Sequence, residues 1–165
     1  MGGKIKVDTS ELHELIERFR AYAEEDWAKV LVDAVKEASA VGAQAAKQLA
    51  PRDTGQLAEQ ILIDPVVVKG DTVQGGYTSQ AHHGAFIEFG TGQKGAAGIS
   101  GADVDPKAKG MLTYTLHPWR YRDSKGNWHT TIGMKPRPYM FPSSKLAKIR
   151  LKQALLRAIR QKLKG

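Results

Sequence analysis

The sequence predicts an α+β fold in which a long N-terminal helical segment packs on a small antiparallel β-sheet, with an amphipathic helix at the C-terminal end. Three observations support this: residues 1–50 carry apolar side chains at helical spacing, residues 56–134 are mainly β-branched and aromatic runs between turns, and residues 143–163 have a basic helical pattern. A chain of 165 residues has the length of one domain, so we predict a single domain over 1–165.

The N-terminal segment has a helix start and a helix stop. Asp8 and Glu11 have the spacing of a capping box, and apolar residues follow at helical spacing as far as Leu49. The acidic cluster 24–26 interrupts this pattern, so the segment is either two helices or one long helix bent near the cluster. Pro51 should end it, because a proline disfavours helical geometry in the preceding residue.

Two hairpins are predicted in the middle of the chain. Residues 57–68 and 73–78 are rich in β-branched side chains and flank a glycine turn. Residues 111–122 and 127–133 have the same character, with added aromatic side chains. Each pair should form two antiparallel strands.

A glycine-rich stretch separates the hairpins. Residues 90–95 match the G-x-G-x-x-G pattern of nucleotide-binding turns and follow a short apolar element, 81–89. No apolar-periodic helix comes after them, so no helix N-terminus is expected to receive a phosphate. We therefore predict a mobile loop over 92–110.

The three prolines within 136–142 predict an extended, rigid connector over 134–142, and a helix should begin at Ser143 or Ser144. Its apolar residues form a broad stripe, and several of its cations recur on another face. The net charge of +8 arises here, because residues 135–165 hold 10 Lys or Arg and no Asp or Glu. The helix therefore contacts DNA phosphates, an acidic partner ring, or only water. The candidate contact residues are Arg150, Arg157, Arg160 and Lys164.

Composition argues against several classes of protein. The absence of cysteine removes disulfides, thiolate nucleophiles and cysteine-ligated zinc, and fits assembly in a reducing cytoplasm. No apolar run has the length of a signal-peptide core or a membrane span, so we expect a soluble protein without a membrane partner. The five histidines fit no metal-binding frame, and we expect no metal, no cofactor and no small-molecule substrate.

Two carboxylates invite a functional interpretation. Asp53-Thr54-Gly55 matches the short motif of aspartic proteases, but it follows a helix end rather than an apolar strand, so a turn or cap is the better interpretation. Glu88 lies between Ile87 and Phe89, where a charge needs an assigned partner, and we expect a salt bridge to Arg137. Without a nucleophile frame or paired carboxylates, the sequence argues against an enzyme.

Three motifs, in this order, resemble the small tail-completion components of long-tailed bacteriophages, grouped under the gene-10 product of the HK-type phages. They are Ala-Pro-x-Asp-Thr-Gly-x-Leu at 50–57, Glu-Phe-Gly-Thr at 88–91 and a Pro-Arg-Pro-Phe-like motif within 136–142. Tyr139 stands where phenylalanine is commoner, and the stretch 92–127 is longer than the family minimum. The motif residues are Asp53, Thr54, Gly55, Leu57, Glu88, Phe89, Gly90, Thr91, Pro136, Arg137, Pro138, Tyr139 and Pro142.

The resemblance implies a structural virion protein that completes the tail at its neck end and helps join it to the DNA-filled head. Its implied partners are copies of itself in a ring, commonly six-fold, the tail terminator or tail tube protein, head–tail connector proteins and the passing DNA. It would be assembled in the host cytoplasm. One ring face would be the second helical stretch or the sheet edge, and the loop after Gly90 would reach the neighbour. The alternative is a basic nucleic-acid-binding protein that acts through its C-terminal helix.

Overall fold

The computed structural model describes residues 10–52, 55–70 and 72–162, with side chains from Trp27 to Gln161 outside the two gaps. The elements in chain order are α1 Ser10–Leu49, α2 Gln56–Glu59, β1 Ile61–Lys69, β2 Thr72–Ser79, α3 Gly84–Phe89, α4 Gly92–Gly98, α5 Pro106–Lys109, β3 Trp119–Arg122, β4 Trp128–Thr131 and α6 Met140–Lys162. A long helix, small antiparallel sheets and a C-terminal helix confirm the predicted α+β class.

Helix α1 is a single helix that continues through the acidic cluster 24–26. It ends at Leu49, just before Pro51, as predicted. The predicted capping residue Asp8 lies outside the described residues. Of the two alternatives left open by the sequence, one long helix is the one observed.

The first hairpin lies against α1. Strand β1 pairs antiparallel with β2 from Ile61↔Ser79 to Lys69↔Thr72, and the register shifts between Asp64 and Val67. Pro65 stands in this irregular stretch, where its missing N–H group costs no ladder bond. The hairpin is therefore confirmed, although β1 begins at Ile61 rather than at residue 57.

The core lies where α1, the first hairpin and the start of α6 meet. The buried cluster contains small side chains of α1 and larger ones from later elements. Gly42 of α1 allows close approach, because a Cβ atom there would lie 2.3 Å from Tyr77 Cε1 and 2.9 Å from the Ala147 Cβ of α6. The buried members are Ala43, Ala46, Ala50, Leu57, Ile61, Ala81 and Tyr139.

The region 56–134 contains more helix than predicted. Residues 84–89, expected to belong to an apolar element of the sheet region, form α3, and His82 and His83 lie in the preceding turn. The segment 92–110, predicted as a loop, contains α4 and α5. These helices have four to seven residues, too short to show apolar periodicity in a sequence.

The glycines of α4, which argued against a helix in the sequence, allow aromatic side chains to pack closely against this helix. Gly92 and Gly95 are buried, and Cβ atoms at these positions would meet Trp119 and Tyr114 at 2.6 and 2.7 Å. The second hairpin is confirmed but shorter than predicted, with four residues in each strand from Trp119↔Thr131 to Arg122↔Trp128.

Candidate functional site

The carboxylate of Glu88 binds the start of α6. Its Oε2 atom accepts hydrogen bonds from the backbone N–H groups of Tyr139 at 2.7 Å and Met140 at 2.9 Å, and Oε1 accepts one from Phe141 at 3.0 Å. Glu88 is only 5% exposed. A negative charge at a helix N-terminus is also favoured by the helix dipole. We call Glu88 and residues 139–141 the junction.

The junction explains why α6 begins at Met140 and not at Ser143 as predicted. The first N–H groups of a helix have no partner within the helix, and here Glu88 supplies acceptors for three of them. Pro142 has no N–H group to satisfy, so it is tolerated in the first turn. Ser143 and Ser144 instead donate to the carbonyl oxygens of residues three positions earlier.

The predicted salt bridge between Glu88 and Arg137 is wrong. The carboxylate of Glu88 instead accepts hydrogen bonds from backbone N–H groups, and Arg137 is exposed. Arg137 does join the connector to α3, but through its backbone N–H group, which donates to the Ile87 carbonyl at 2.8 Å. A charge-assisted bond to backbone N–H groups satisfies the buried carboxylate without a second buried charge.

The Glu-Phe-Gly-Thr motif and the proline-rich connector are further linked beyond the junction. Thr91 N donates to Met134 O at 2.9 Å, and Met134 N donates to Thr91 O at 3.1 Å. Gly90 packs against Pro136, and the carbonyl of Phe89 accepts the Tyr114 hydroxyl at 2.8 Å. Pro138 is partly buried. The second and third motifs therefore form one connected unit.

Tyr139 brings the first motif into the same unit. This residue is 1% exposed and lies in the core cluster with Ala50 and Leu57, which belong to the first motif. Its hydroxyl donates to Ser79 Oγ at 2.9 Å, which gives a role to the tyrosine where phenylalanine is commoner. Burial raises the pKa of the Tyr139 phenol, so it is a neutral donor at pH 7.

The remaining residues of the first motif have local roles or are not described. Gly55 precedes α2 with φ of +85°, a left-handed backbone angle that glycine adopts without steric cost. Asp53 and Thr54 lie outside the described residues. All three motifs thus contribute residues to one region of the fold.

A groove of about 880 Å³ runs between α1, β2 and the first turns of α6. Two carboxylates line it, Glu88 and Asp105, and each accepts backbone N–H groups at a helix start. Both therefore serve as caps. Within the described residues, no group of three or more His, Asp or Glu side chains has a metal-binding arrangement.

Some of the basic side chains of α6 form ion pairs with acidic residues of the same chain. Glu37 of α1 accepts Arg150 Nη2 at 2.5 Å and Arg157 Nη2 at 2.7 Å. These two arginines hold the pKa of Glu37 below its usual range, Arg157 through its hydrogen bond most of all. Lys145 pairs with Asp103. Two of the four candidate contact residues, Arg150 and Arg157, thus form ion pairs with Glu37, while Arg160 is exposed and Lys164 lies outside the described residues.

The apolar stripe of α6 is only partly covered. Small side chains lie on the packed side of α6: Ala147 lies beside Gly42 of α1, and Ala154 is buried. By contrast, Leu146, Ile149 and Leu156 are 47%, 54% and 41% exposed. Sequence reasoning missed this, because alanine at helical spacing gives a weaker signal than leucine for the packed side of a helix.

The fold and its junction define a small α+β domain whose buried carboxylate and paired arginines hold two helices and a hairpin together. In the part of the chain that the structure describes, no helix has the length and apolar character that crossing a membrane requires.

Residues 13–90, slightly less than half of the chain, match the HK97-gp10-like family, described as "Bacteriophage HK97-gp10, putative tail-component". The predicted resemblance to this family of phage tail components is thereby confirmed over that span, which contains the first motif and most of the second. No curated protein and no solved structure matches the chain.

Proposed function

We propose that this chain is a structural protein of a phage virion that completes the tail at its neck end and helps join it to the DNA-filled head. The observation that carries the proposal is the match of residues 13–90 to a family of phage tail components. The junction adds support, because it ties the residues of the second and third motifs into one unit. The chain would act as a ring of identical subunits, six being the expected number.

The proposed partners follow from this position. Besides its own copies, the chain would contact the tail terminator or tail tube protein on one side and head–tail connector proteins on the other, with DNA passing through the ring. The chain would be assembled into the virion in the host cytoplasm, and it would lie at the neck end of the tail. We propose no catalytic activity, because the carboxylates on the groove are used as helix caps.

The structure does not favour the alternative of a nucleic-acid-binding protein. That alternative would act through the four candidate contact residues of α6, and two of them, Arg150 and Arg157, are paired with Glu37. Phosphate binding by those two would need the pairs to break first.

Disruption of the gene in the phage that carries it tests the proposal. We expect cells infected with the disrupted phage to accumulate DNA-filled heads and separate tails, because the joining step fails, and we expect almost no infectious particles. Supply of the wild-type chain from a plasmid should restore joined particles. Electron microscopy of the lysate gives the readout. Normally joined particles without the chain would contradict the proposed role.

A further inference from the structure

One side of α6 has no covering element among the described residues. Leu146, Ile149, Gln153 and Leu156 follow one another at intervals of three, four and three residues, which places them along one side of the helix. The three apolar members are 41–54% exposed. We call these four residues the α6 stripe.

Cations border the α6 stripe. Lys148, Lys152 and Arg160 are exposed and have no ion-pair partner among the described residues. No acidic residue occurs anywhere from 140 to 165. A surface with an apolar centre and a basic border fits an amphipathic helix with acidic flanks.

The N-terminal part of α1 has the sequence of an amphipathic helix with acidic flanks. Leu12, Leu15, Phe19 and Tyr22 repeat the same intervals of three, four and three. Residues 10–26 contain six Asp or Glu and only two Arg or Lys. Ten residues separate the first and last members of each set, about 15 Å along a helix, so the two sets have equal length. Intervals of three and four residues are those by which helices pack side by side.

This segment cannot reach the stripe of its own chain. Helices α1 and α6 run antiparallel, because Gly42 lies beside Ala147 while Glu37 pairs with the later residues Arg150 and Arg157. From Glu37, α1 continues in one piece to Ser10, about 40 Å away, whereas α6 extends only about 8 Å beyond Arg157. Residues 10–26 therefore extend past the end of α6, and only another chain can bring them onto the stripe.

We propose that the α6 stripe of one copy binds residues 12–22 of α1 of the next copy. The contact uses two different surfaces, so it joins subunits head to tail, and repetition gives a ring or a filament. This rests on the proposed ring and names its interface. It differs from the second helical stretch, which the sequence offered as one ring face, since the apolar side of α1 after Trp27 is buried in its own core, with Ala34, Ala38 and Ala46 at most 6% exposed.

Single cysteines test the contact directly, because the native chain has none. A Phe19→Cys chain is mixed with an Ile149→Cys chain or a Gln153→Cys chain, and the mixtures are oxidised. We expect mixed disulfide dimers from at least one of the two mixtures, since a disulfide requires Cα atoms within about 7 Å. Mass spectrometry identifies the linked pair, and thereby whether the two helices pack parallel or antiparallel.

Ile63→Cys provides the matched control for this experiment. Ile63 of β1 is 55% exposed, nearly the same as Ile149 at 54%, but it lies on the hairpin and not on α6. Its mixture with Phe19→Cys should give only background dimers. If both α6 mixtures also stay at background, the proposed contact is wrong.

Sedimentation distinguishes a failure of the proposed contact from a failure of the proposed ring. Wild-type chain should sediment as an assembly, Ile149→Asp with Leu156→Asp should shift it to the monomer, and Ile63→Asp should leave the assembly intact. A closed ring that persists in the double variant overturns the contact and leaves the ring standing. Mixed disulfides without a closed ring in the wild type support the contact and overturn the ring.

Discussion

Glu88→Ala is expected to destabilise the fold by at least about 3 kcal/mol, because it removes three hydrogen bonds to a charged group, and one such bond alone contributes about 1.5–3 kcal/mol. Three backbone N–H groups at the start of α6 would lose their acceptor. Because the junction is buried, water replaces the carboxylate poorly. Urea unfolding followed by circular dichroism gives the free energy of unfolding.

Two further variants make this result interpretable. Glu88→Gln keeps one acceptor oxygen but removes the charge, so we expect a loss between those of wild type and Glu88→Ala. Glu59→Ala removes an exposed carboxylate at the end of α2 and should change stability by no more than about 0.5 kcal/mol. Equal stability of Glu88→Ala and Glu59→Ala would show that the cap contributes nothing.

Gly133→Ala should cost about 2–5 kcal/mol, from left-handed backbone strain of about 1–2 kcal/mol together with overpacking of about 1–3 kcal/mol. Gly133 has φ of +98°, and a Cβ atom there would lie 1.8 Å from Thr91 O. The backbone cannot easily move away, because Thr91 and Met134 hold each other by hydrogen bonds of 2.9 and 3.1 Å. The same unfolding measurement gives the loss.

Gly55→Ala is the matched control, because Gly55 also has positive φ, +85°, but nothing lies within 4 Å of a Cβ atom there. It should show the backbone strain alone, about 1–2 kcal/mol. A Gly133→Ala variant that loses no more than Gly55→Ala would mean that the contact between Gly133 and Thr91 is not tight.

Features set by neighbouring residues were predictable from the sequence. The end of α1 before Pro51 depends on a local steric rule, and the first hairpin depends on β-branched runs around a turn. The helical character of α6 follows from its own periodicity. These elements need no knowledge of distant parts of the chain.

Features set by distant residues were not predictable. The start of α6 is fixed by Glu88, which lies 51 residues before Tyr139. The ion pair of Arg157 depends on Glu37, which lies 120 residues earlier in the chain. A sequence pattern shows that a charge needs a partner but not which partner the fold supplies. For this reason the sequence indicated that Glu88 needs a partner, but it wrongly assigned Arg137 to that role.

Immunogold electron microscopy of phage particles that carry this chain tests the central claim most directly. The antibody must first be shown to recognise the native protein. We predict gold particles at the junction of head and tail, at the neck end of the tail. Normal particles with an intact neck and no label there would contradict a role in tail completion.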